Sequence, residues 1–249
     1  MAIQHLFDRA KVDYDEVYEA GKAYGETVGK KAQYDKFWDS LQWNGTRTVY
    51  SYGFYYWGDG AFYPKYDIKP TGWSSSIFSA MGIIDFKQRL IDCGVTLDMS
   101  KASSFAGLFA SSKDNKAVPT IDTTSATAVE TLFHNNFALI EVEKLVLKND
   151  GSQTFRDVFY YCYELVHLTI EGVIGQNGFD LRYSTKLSKA SITSVINALS
   201  TSTSGLTATF SKTAVDKAFE TASGANDGTT SQEWLALVAT KSNWNISLL

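Results

Sequence analysis

Two aspartates, Asp98 and Asp122, end short strand-like segments and lie 24 residues apart in the chain. If the two segments pair as neighbouring strands, their carboxylates lie about 5 Å apart. Glycoside hydrolases hold two carboxyl groups roughly 5 to 9.5 Å apart around the bond that they cleave. The same spacing arises wherever strands form a ladder, and Lys148 on the next predicted rung reduces the repulsion. We therefore predict that the chain is not an enzyme, and keep a carbohydrate-active enzyme as an alternative.

Other residues with reactive side chains do not form a recognisable motif. The histidines are His5, His134 and His167, and their spacing matches no local metal site. Cys93 and Cys162 have apolar or aromatic neighbours and no CxxC partner, which predicts reduced thiols packed in the core. The sequence also lacks a Walker loop, a GxGxxG motif and a GxSxG motif. We expect no catalytic residue, no metal and no cofactor.

Composition and charge restrict the partners and the compartment. The 249 residues carry a formal net charge of −4, which argues against nucleic acid as a partner. Charged residues interrupt the apolar stretches of the first twenty residues, so we expect no signal peptide and synthesis in a cytoplasm. No apolar run approaches the ~20 residues that a membrane-spanning helix needs, so we expect no membrane insertion.

The elements that must position these residues recur along the chain. Alternating apolar residues predict six short strands, at 66–69, 95–98, 120–122, 144–148, 167–171 and 207–211. One face of these strands carries Ile68, Leu97, Ile121, Leu147, Ile170 and Phe210. The other face places Asp98, Asp122, Lys148 and Glu171 at matching positions, separated by 24, 26 and 23 residues.

A second pattern recurs between the predicted strands with nearly the same period. Its apolar residues, in three successive units, are Phe105, Leu108 and Phe109, then Val129, Leu132 and Phe133, then Phe155, Val158 and Phe159. We interpret each unit as a strand, a polar turn and a helical or irregular return segment. A period of about 20–29 residues with this content predicts an α/β solenoid of the leucine-rich-repeat type.

The regions outside the repeat predict a stem and two caps. Residues 1–36 carry Gly21, Gly25 and Gly29 on one predicted helix face, which predicts either a self-association stem, with a trimer favoured, or a helix resting on its own domain. Residues 37–63 are rich in aromatic rings and predict an N-terminal cap rather than a ligand platform. The solenoid then spans 64–212, including a helix at 187–199 capped by Thr185 or Ser188. Residues 213–249 predict a C-terminal helical cap that begins with a helix at 213–222.

The outward side of the predicted strands is the candidate binding face. Thr and Asp side chains there could hydrogen-bond glycan hydroxyls or a protein strand, and solenoids commonly bind partners on such a face. The alternative is that threonine is simply a good residue for an exposed strand. The candidate residues are Thr96, Asp98, Thr120, Asp122, Lys148, Thr169 and Glu171.

These units resemble the BspA-type leucine-rich repeat, which places F-x-x-C-x-x-L before a strand. The segment from Phe159 through Cys162 to Leu165 matches that pattern, whereas earlier units carry Asn136 or Ser112 near the cysteine position. The whole chain also resembles repeat proteins carried by phages and prophages of gut Firmicutes. The shared segments are YDKFWDSLQ at 34–42, PKYDIKPT at 64–71 and the final WNI at 244–246.

The resemblance implies a non-enzymatic virion protein on a phage tail, baseplate or capsid surface. Its expected partners are other virion proteins and a bacterial surface glycan or protein, and the N-terminal stem is expected to make it a homo-oligomer. The expected location is the virion, after synthesis in the host cytoplasm. The alternative is a bacterial cell-surface adhesin built from the same repeat.

Overall fold

Parallel pairing between segments about one repeat apart organises the part of the chain that the structure describes. The computed structural model describes residues 67–69, 72–73, 78–219 and 231–249. In chain order, the strands are β1 (Gly72–Trp73), β2 (Ala102–Ser104), β3 (Ala117–Val118), β4 (Ile121–Asp122), β5 (Ala128–Glu130), β6 (Glu141–Val146), β7 (Thr154–Arg156), β8 (His167–Glu171), β9 (Asp180–Leu181), β10 (Leu206–Phe210) and β11 (Trp244–Leu248). The pairs β1–β2 and β5–β7 form two-stranded sheets, β9, β10 and β11 form a three-stranded sheet, and β3, β4 and β8 all pair with β6.

Four helices complete the described elements, each begun by a side chain that accepts a backbone N–H. They are α1 (Phe86–Cys93), α2 (Lys189–Ala198), α3 (Lys212–Ala218) and α4 (Gln232–Ala239), capped by Asp85, Ser188, Ser211 and Ser231. The helix predicted at 187–199 and its Ser188 cap are confirmed by α2. The helix predicted at 213–222 corresponds to α3. The sequence analysis missed α1, although Asp85 and the left-handed Gly94 mark its two ends.

Three of the predicted strands appear close to their expected positions. The segment 167–171 is β8 in full, and 120–122 and 207–211 overlap β4 and β10. The segments 66–69 and 95–98 meet at a single parallel bridge between Ile68 and Leu97.

The register of β6 differs from the prediction. Leu145 pairs with Ile121 on one side and with Ile170 on the other, so Val146 lies between Asp122 and Glu171. The prediction that Lys148 occupies this position is wrong. Between Val142 and Leu145 two residues of β6 face one residue of β8, which is a β-bulge. On the C-terminal side of the bulge, β6 is shifted by two residues from the predicted register. This shift keeps every side chain on its predicted face, because successive side chains of a strand point to alternate faces.

Backbone hydrogen bonds also join the return segments, which we call turn segments and define as residues 105–113, 129–137, 155–163 and 177–185. The N–H groups of Phe109 and Phe133 donate to the carbonyls of Leu132 and Val158, at 2.9 Å in both cases. Short strands open these segments, since β5 pairs with β7 at Val129 and Phe155. The return path is therefore a short strand followed by turns. The sequence had predicted a helical or irregular backbone for this part of each unit.

A file of phenylalanine rings fills the interior between the turn segments. Phe78, Phe109, Phe133 and Phe159 stack in order, with successive ring centroids 5.1, 5.8 and 5.4 Å apart. All four rings are at most 1% exposed. The nine apolar residues of the predicted return pattern are all buried, as expected.

A column of buried polar side chains runs beside the phenylalanine file. Ser112 Oγ donates to the carbonyl of Phe78 at 2.8 Å, and Asn136 Nδ2 donates to that of Phe109 at 2.6 Å. The Cys162 thiol donates to the Phe133 carbonyl at 3.1 Å. These side chains hydrogen-bond each turn segment to the part of the chain that precedes it in the stack, so the position needs a small donor and not a particular residue type.

The C-terminal part contains a strand as well as helices, so its description as a helical cap is incomplete. Strand β11 pairs in parallel with β10, 38 residues earlier, from Leu206 with Trp244 to Phe210 with Leu248. Lys241, only 7% exposed, donates from Nζ to the carbonyls of Asn197 and Leu199 at the end of α2. Burial lowers the pKa of this lysine.

Two predicted regions lie outside the described residues. They are the stem at 1–36 with Gly21, Gly25 and Gly29, and the aromatic cap at 37–63. The solenoid class also stays a prediction. The described residues form a mixed helix and strand fold with small parallel sheets.

Candidate binding surfaces

The strand face is the first candidate, and its predicted residues differ in exposure and position. Thr96, Asp98, Thr169 and Glu171 are exposed, whereas Thr120, Asp122 and Lys148 are half-buried. Asp98 follows the Ile68–Leu97 bridge, whereas Asp122 belongs to the row with Val146 and Glu171. No strand pair among the described residues joins the two aspartates.

Both aspartates are engaged in their own turns. Asp98 Oδ1 accepts from the backbone N–H and the hydroxyl of Ser100, at 3.0 and 2.6 Å. Asp122 Oδ1 accepts in the same way from Thr124, at 2.9 and 2.7 Å. The hydrogen bonds from Ser100 lower the pKa of Asp98. These are Asx turns, in which the carboxylate holds the chain as it leaves the strand.

Ion pairs neutralise much of the remaining charge on the strand face. Lys144 Nζ lies 2.7 Å from Glu171 Oε2, and Lys87 Nζ of α1 lies 2.5 Å from Glu141 and 3.6 Å from Glu143. The hydrogen bond to Glu141 raises the pKa of Lys87. Glu171 is therefore partnered by Lys144, a residue that the predicted register placed elsewhere.

The remaining reactive residues have structural surroundings. Cys162 is fully buried and Cys93 is half-buried, and both are free thiols. Burial raises the pKa of both thiols, most strongly that of Cys162. His167 pairs in register with Glu141, whereas His134 lies on a turn segment. His5 lies outside the described residues. Among those residues, no group of three or more His, Cys, Asp or Glu side chains could hold a metal ion.

A second surface was not found by sequence reasoning: a cluster of aromatic side chains on the turn segments. We call it the aromatic patch and define it as His134, Phe137, Tyr160, Tyr161, Tyr163 and Tyr183. His134 stacks on Tyr160 with centroids 5.2 Å apart, and Phe137 stacks on Tyr163 at 6.1 Å. The Tyr183 ring packs against the rings of Tyr160 and Tyr161, with ring centroids 4.8 Å apart in both cases. Phe137 and Tyr163 are 38% and 40% exposed.

The patch arises from the repeat itself. Phe137 and Tyr163 are 26 residues apart, as are His134 and Tyr160, and the buried Phe133 and Phe159 have the same spacing. A search for aromatic residues at the repeat spacing, rather than in one continuous segment such as 37–63, is the signal that would have found it.

Hydrogen bonding and burial raise the pKa of two tyrosines of the patch. The Tyr160 and Tyr161 hydroxyls lie 3.2 Å apart. That hydrogen bond raises the pKa of Tyr160, and desolvation raises that of Tyr163. The phenols of Tyr160 and Tyr163 are therefore uncharged at neutral pH, and the patch presents rings and hydroxyl groups.

Comparison with known protein families, with characterised proteins and with solved structures finds no match for this chain. No helix among the described residues is long and apolar enough to cross a membrane.

Proposed function

We propose that this protein is a non-enzymatic bacteriophage virion protein, whose leucine-rich-repeat solenoid presents a rigid face to a bacterial surface glycan or protein, or to a neighbouring virion subunit. The observation that carries the proposal is the parallel register, in which side chains of successive units form fixed rows such as Asp122, Val146 and Glu171. Fixed rows favour binding because little conformational entropy is lost when a partner docks. The phage setting rests on the resemblance of the sequence.

The surroundings of the aspartates favour a binding role over hydrolysis. A general acid needs a carboxyl group with a raised pKa, and Asp98 has a lowered one. Asp98 and Asp122 also each direct a carboxylate oxygen to their own turn. An Asp98→Asn variant should therefore leave any measured turnover of host wall glycans unchanged. Loss of turnover in this variant would favour the enzyme instead.

The strand face can be tested on the intact protein with matched variants. The labelled chain is incubated with cells of gut Firmicutes and with their purified wall glycans. We expect Thr169→Arg to weaken binding at least roughly tenfold, because it places a long charged side chain on the exposed face. Ser152→Arg, at an exposed loop position beyond β6, is the control and should bind like the wild type.

The phage setting has its own test. Particles purified from a lysogen that carries the gene are digested and examined by mass spectrometry, and we expect peptides of this chain at a fixed copy number per particle. Absence from particles, together with recovery from the cell surface, would instead support the adhesin.

We also propose that the stem, through Gly21, Gly25 and Gly29, makes the protein a trimer. Close helix contacts need the bare backbone of glycine at these positions. A triple replacement of these glycines by leucine in the full chain should therefore reduce the mass in solution to a third. An unchanged mass would remove the stem from the proposal.

A further inference from the structure

Strand β11 lies at the edge of its three-stranded sheet, with β10 on one side only. Leu249, directly after β11, donates its N–H to the Phe210 carbonyl at 3.0 Å and accepts from the Lys212 N–H at 2.9 Å. In a parallel pair, alternate residues of a strand direct both of their backbone groups to the neighbouring strand. The N–H and C=O groups of Ile246 and Leu248 therefore point away from β10.

These outward backbone groups have no hydrogen-bond partner within the part of the chain that the structure describes. The carbonyl of Trp244 also points outward, whereas its N–H donates to the Lys241 carbonyl at 2.9 Å. We call the outward groups of Trp244, Ile246 and Leu248 the open edge. A row of free N–H and C=O groups at strand spacing selects one kind of occupant, which is another extended chain.

The outer edge of β8 shows how this chain closes an edge with its own side chains. The N–H groups of Leu168 and Ile170 donate to the hydroxyls of Ser191 and Ser194, both on α2, at 2.9 Å in both cases. Helix α2 thus takes the place of a further strand. Nothing comparable closes the open edge among the described residues.

Other features that protect exposed strand edges are also absent from β11. Charged side chains, proline and bulges are the usual ones. The pairing of β11 with β10 is regular, without a bulge. Residues 242–249 include no proline and no charged side chain. Strand β11 is therefore left able to pair with another strand.

The open edge is complementary to itself about a two-fold axis at Ile246. Antiparallel pairing then joins the N–H of each Ile246 to the carbonyl of the other. It also joins the N–H of each Leu248 to the carbonyl of Trp244 in the second copy. The Leu248 carbonyl stays with solvent at the end of the pair, because the Trp244 N–H opposite it is already bonded to Lys241.

The side chains across this axis match in kind as well. Opposite residues of an antiparallel pair place their side chains on the same face of the sheet. Ile246 then meets Ile246 and Leu248 meets Trp244, on the face where Ile246 and Leu248 are only half-buried. On the other face Asn245 meets Ser247. A second copy of this edge therefore satisfies its backbone and its side chains together, without charge repulsion.

We propose that β11 pairs in antiparallel orientation with β11 of a second copy of this chain, about a two-fold axis at Ile246, so that the two sheets become one continuous sheet. The contact is separate from the proposed stem and from the strand face. Each of the three can be removed without the others.

Disulfide cross-linking of the full-length protein tests the axis directly. In the proposed pair the two Ile246 Cα atoms lie about 5.5 Å apart, within the range of about 4.4–6.8 Å that a disulfide bridges. With Cys93 replaced by serine, Ile246→Cys should form a covalent dimer under mild oxidation, seen on a non-reducing gel. Ser242→Cys is the control, because Ser242 is exposed on the turn before β11 and its two copies would lie beyond that range. The control should stay monomeric on the same gel.

A charged substitution checks the same contact without an added thiol. Ile246→Lys brings two lysines together across the axis and should weaken the association roughly tenfold or more. Sedimentation velocity between 1 and 100 µM, chosen roughly to bracket a micromolar dissociation constant, should show a lower mass than for the wild type. Ile91→Lys, at a side chain of α1 that is 60% exposed, is the matched control and should keep the wild-type mass.

Circular dichroism establishes that each variant is folded, and the two cysteine variants decide if the lysine variant is not. Absence of the Ile246→Cys dimer, equal cross-linking of Ser242→Cys, or an unchanged mass of folded Ile246→Lys overturns the proposal. A cross-link from Ile246→Cys to a different virion protein, in place of the dimer, also overturns it. None of these outcomes bears on binding to cells, so the proposed function is tested separately.

Discussion

The inner and outer positions of the turn segments differ sharply, although they are adjacent in sequence. The inner positions repeat the same residue at Phe109, Phe133 and Phe159, and all three rings are buried. The next position outward changes in every unit, from Ala110 to His134 to Tyr160. Inner side chains must fill one shared volume between paired segments, whereas outer ones face no such restriction.

This difference separates the residues that build the fold from those that can serve a function. The same backbone hydrogen bonds, from Phe109 to Leu132 and from Phe133 to Val158, join the segments that carry the inner and the outer positions. A buried residue that is identical in successive units therefore indicates packing. Exposed aromatic side chains at the repeat spacing, as in the aromatic patch, indicate a surface that a partner could cover.

The largest expected difference between the two regions comes from removing one ring in each. Phe133→Ala should lower the free energy of unfolding by about 3–5 kcal/mol, because it leaves a cavity between Phe109 and Phe159. Phe137→Ala, at an outer position, should cost less than about 1 kcal/mol in the free protein. Urea unfolding monitored by fluorescence measures both, and equal costs would show that the inner file does not carry the packing.

The next largest effect concerns the approach of backbone segments. A Cβ at Gly172 would lie 2.2 Å from the Leu147 carbonyl oxygen, whereas one at Gly205 would meet nothing within 4 Å. Both residues have positive φ, 100° and 73°. Gly172→Ala should therefore cost about 2–4 kcal/mol, from strain and from the clash together, and Gly205→Ala about 1 kcal/mol. Thermal and urea unfolding of the two variants compare them, and similar losses would contradict the close approach.

A smaller effect is expected in the buried polar column. Asn136→Ala removes the donor to the Phe109 carbonyl and should cost about 1–2 kcal/mol. Asn136→Cys should stay within about 1 kcal/mol of the wild type, because Cys162 makes the equivalent contact and because Asn136 Oδ1 is buried without a partner. If the cysteine variant is no more stable than the alanine variant, a donor is not what this position needs.

The smallest effect concerns the strand face, where Asp98 is exposed. Its pKa is lowered in the folded state by Ser100, so its contribution to stability is present above the ordinary value of 3.8 and is lost as the pH falls through the lower, folded value. Asp98→Ala should therefore be slightly less stable than the wild type at pH 7, and the two should converge towards pH 2. Urea midpoints across this range measure the difference, and a constant difference would exclude the ionised turn as its source.

Sequence reasoning was most accurate where a pattern is local. The buried return residues, strand β8 and the capped helix α2 follow from alternation, helical spacing and the Ser188 cap. It was least accurate for the register of β6, because a two-residue shift leaves the inward and outward pattern unchanged. It also missed α1, whose apolar Phe86 and Leu90 are too few to form a strong periodic signal.

The amino-acid sequence by itself determined the repeat period and the buried side chains of the return pattern, because these depend on spacing along one chain. Tertiary structure alone decided which residues of different units become neighbours. It placed Val146 instead of Lys148 beside Asp122, and it brought rings from three turn segments into one patch. The physical reason is that pairing between distant segments depends on bulges and turn geometry, which shift the register without changing the pattern that the sequence displays.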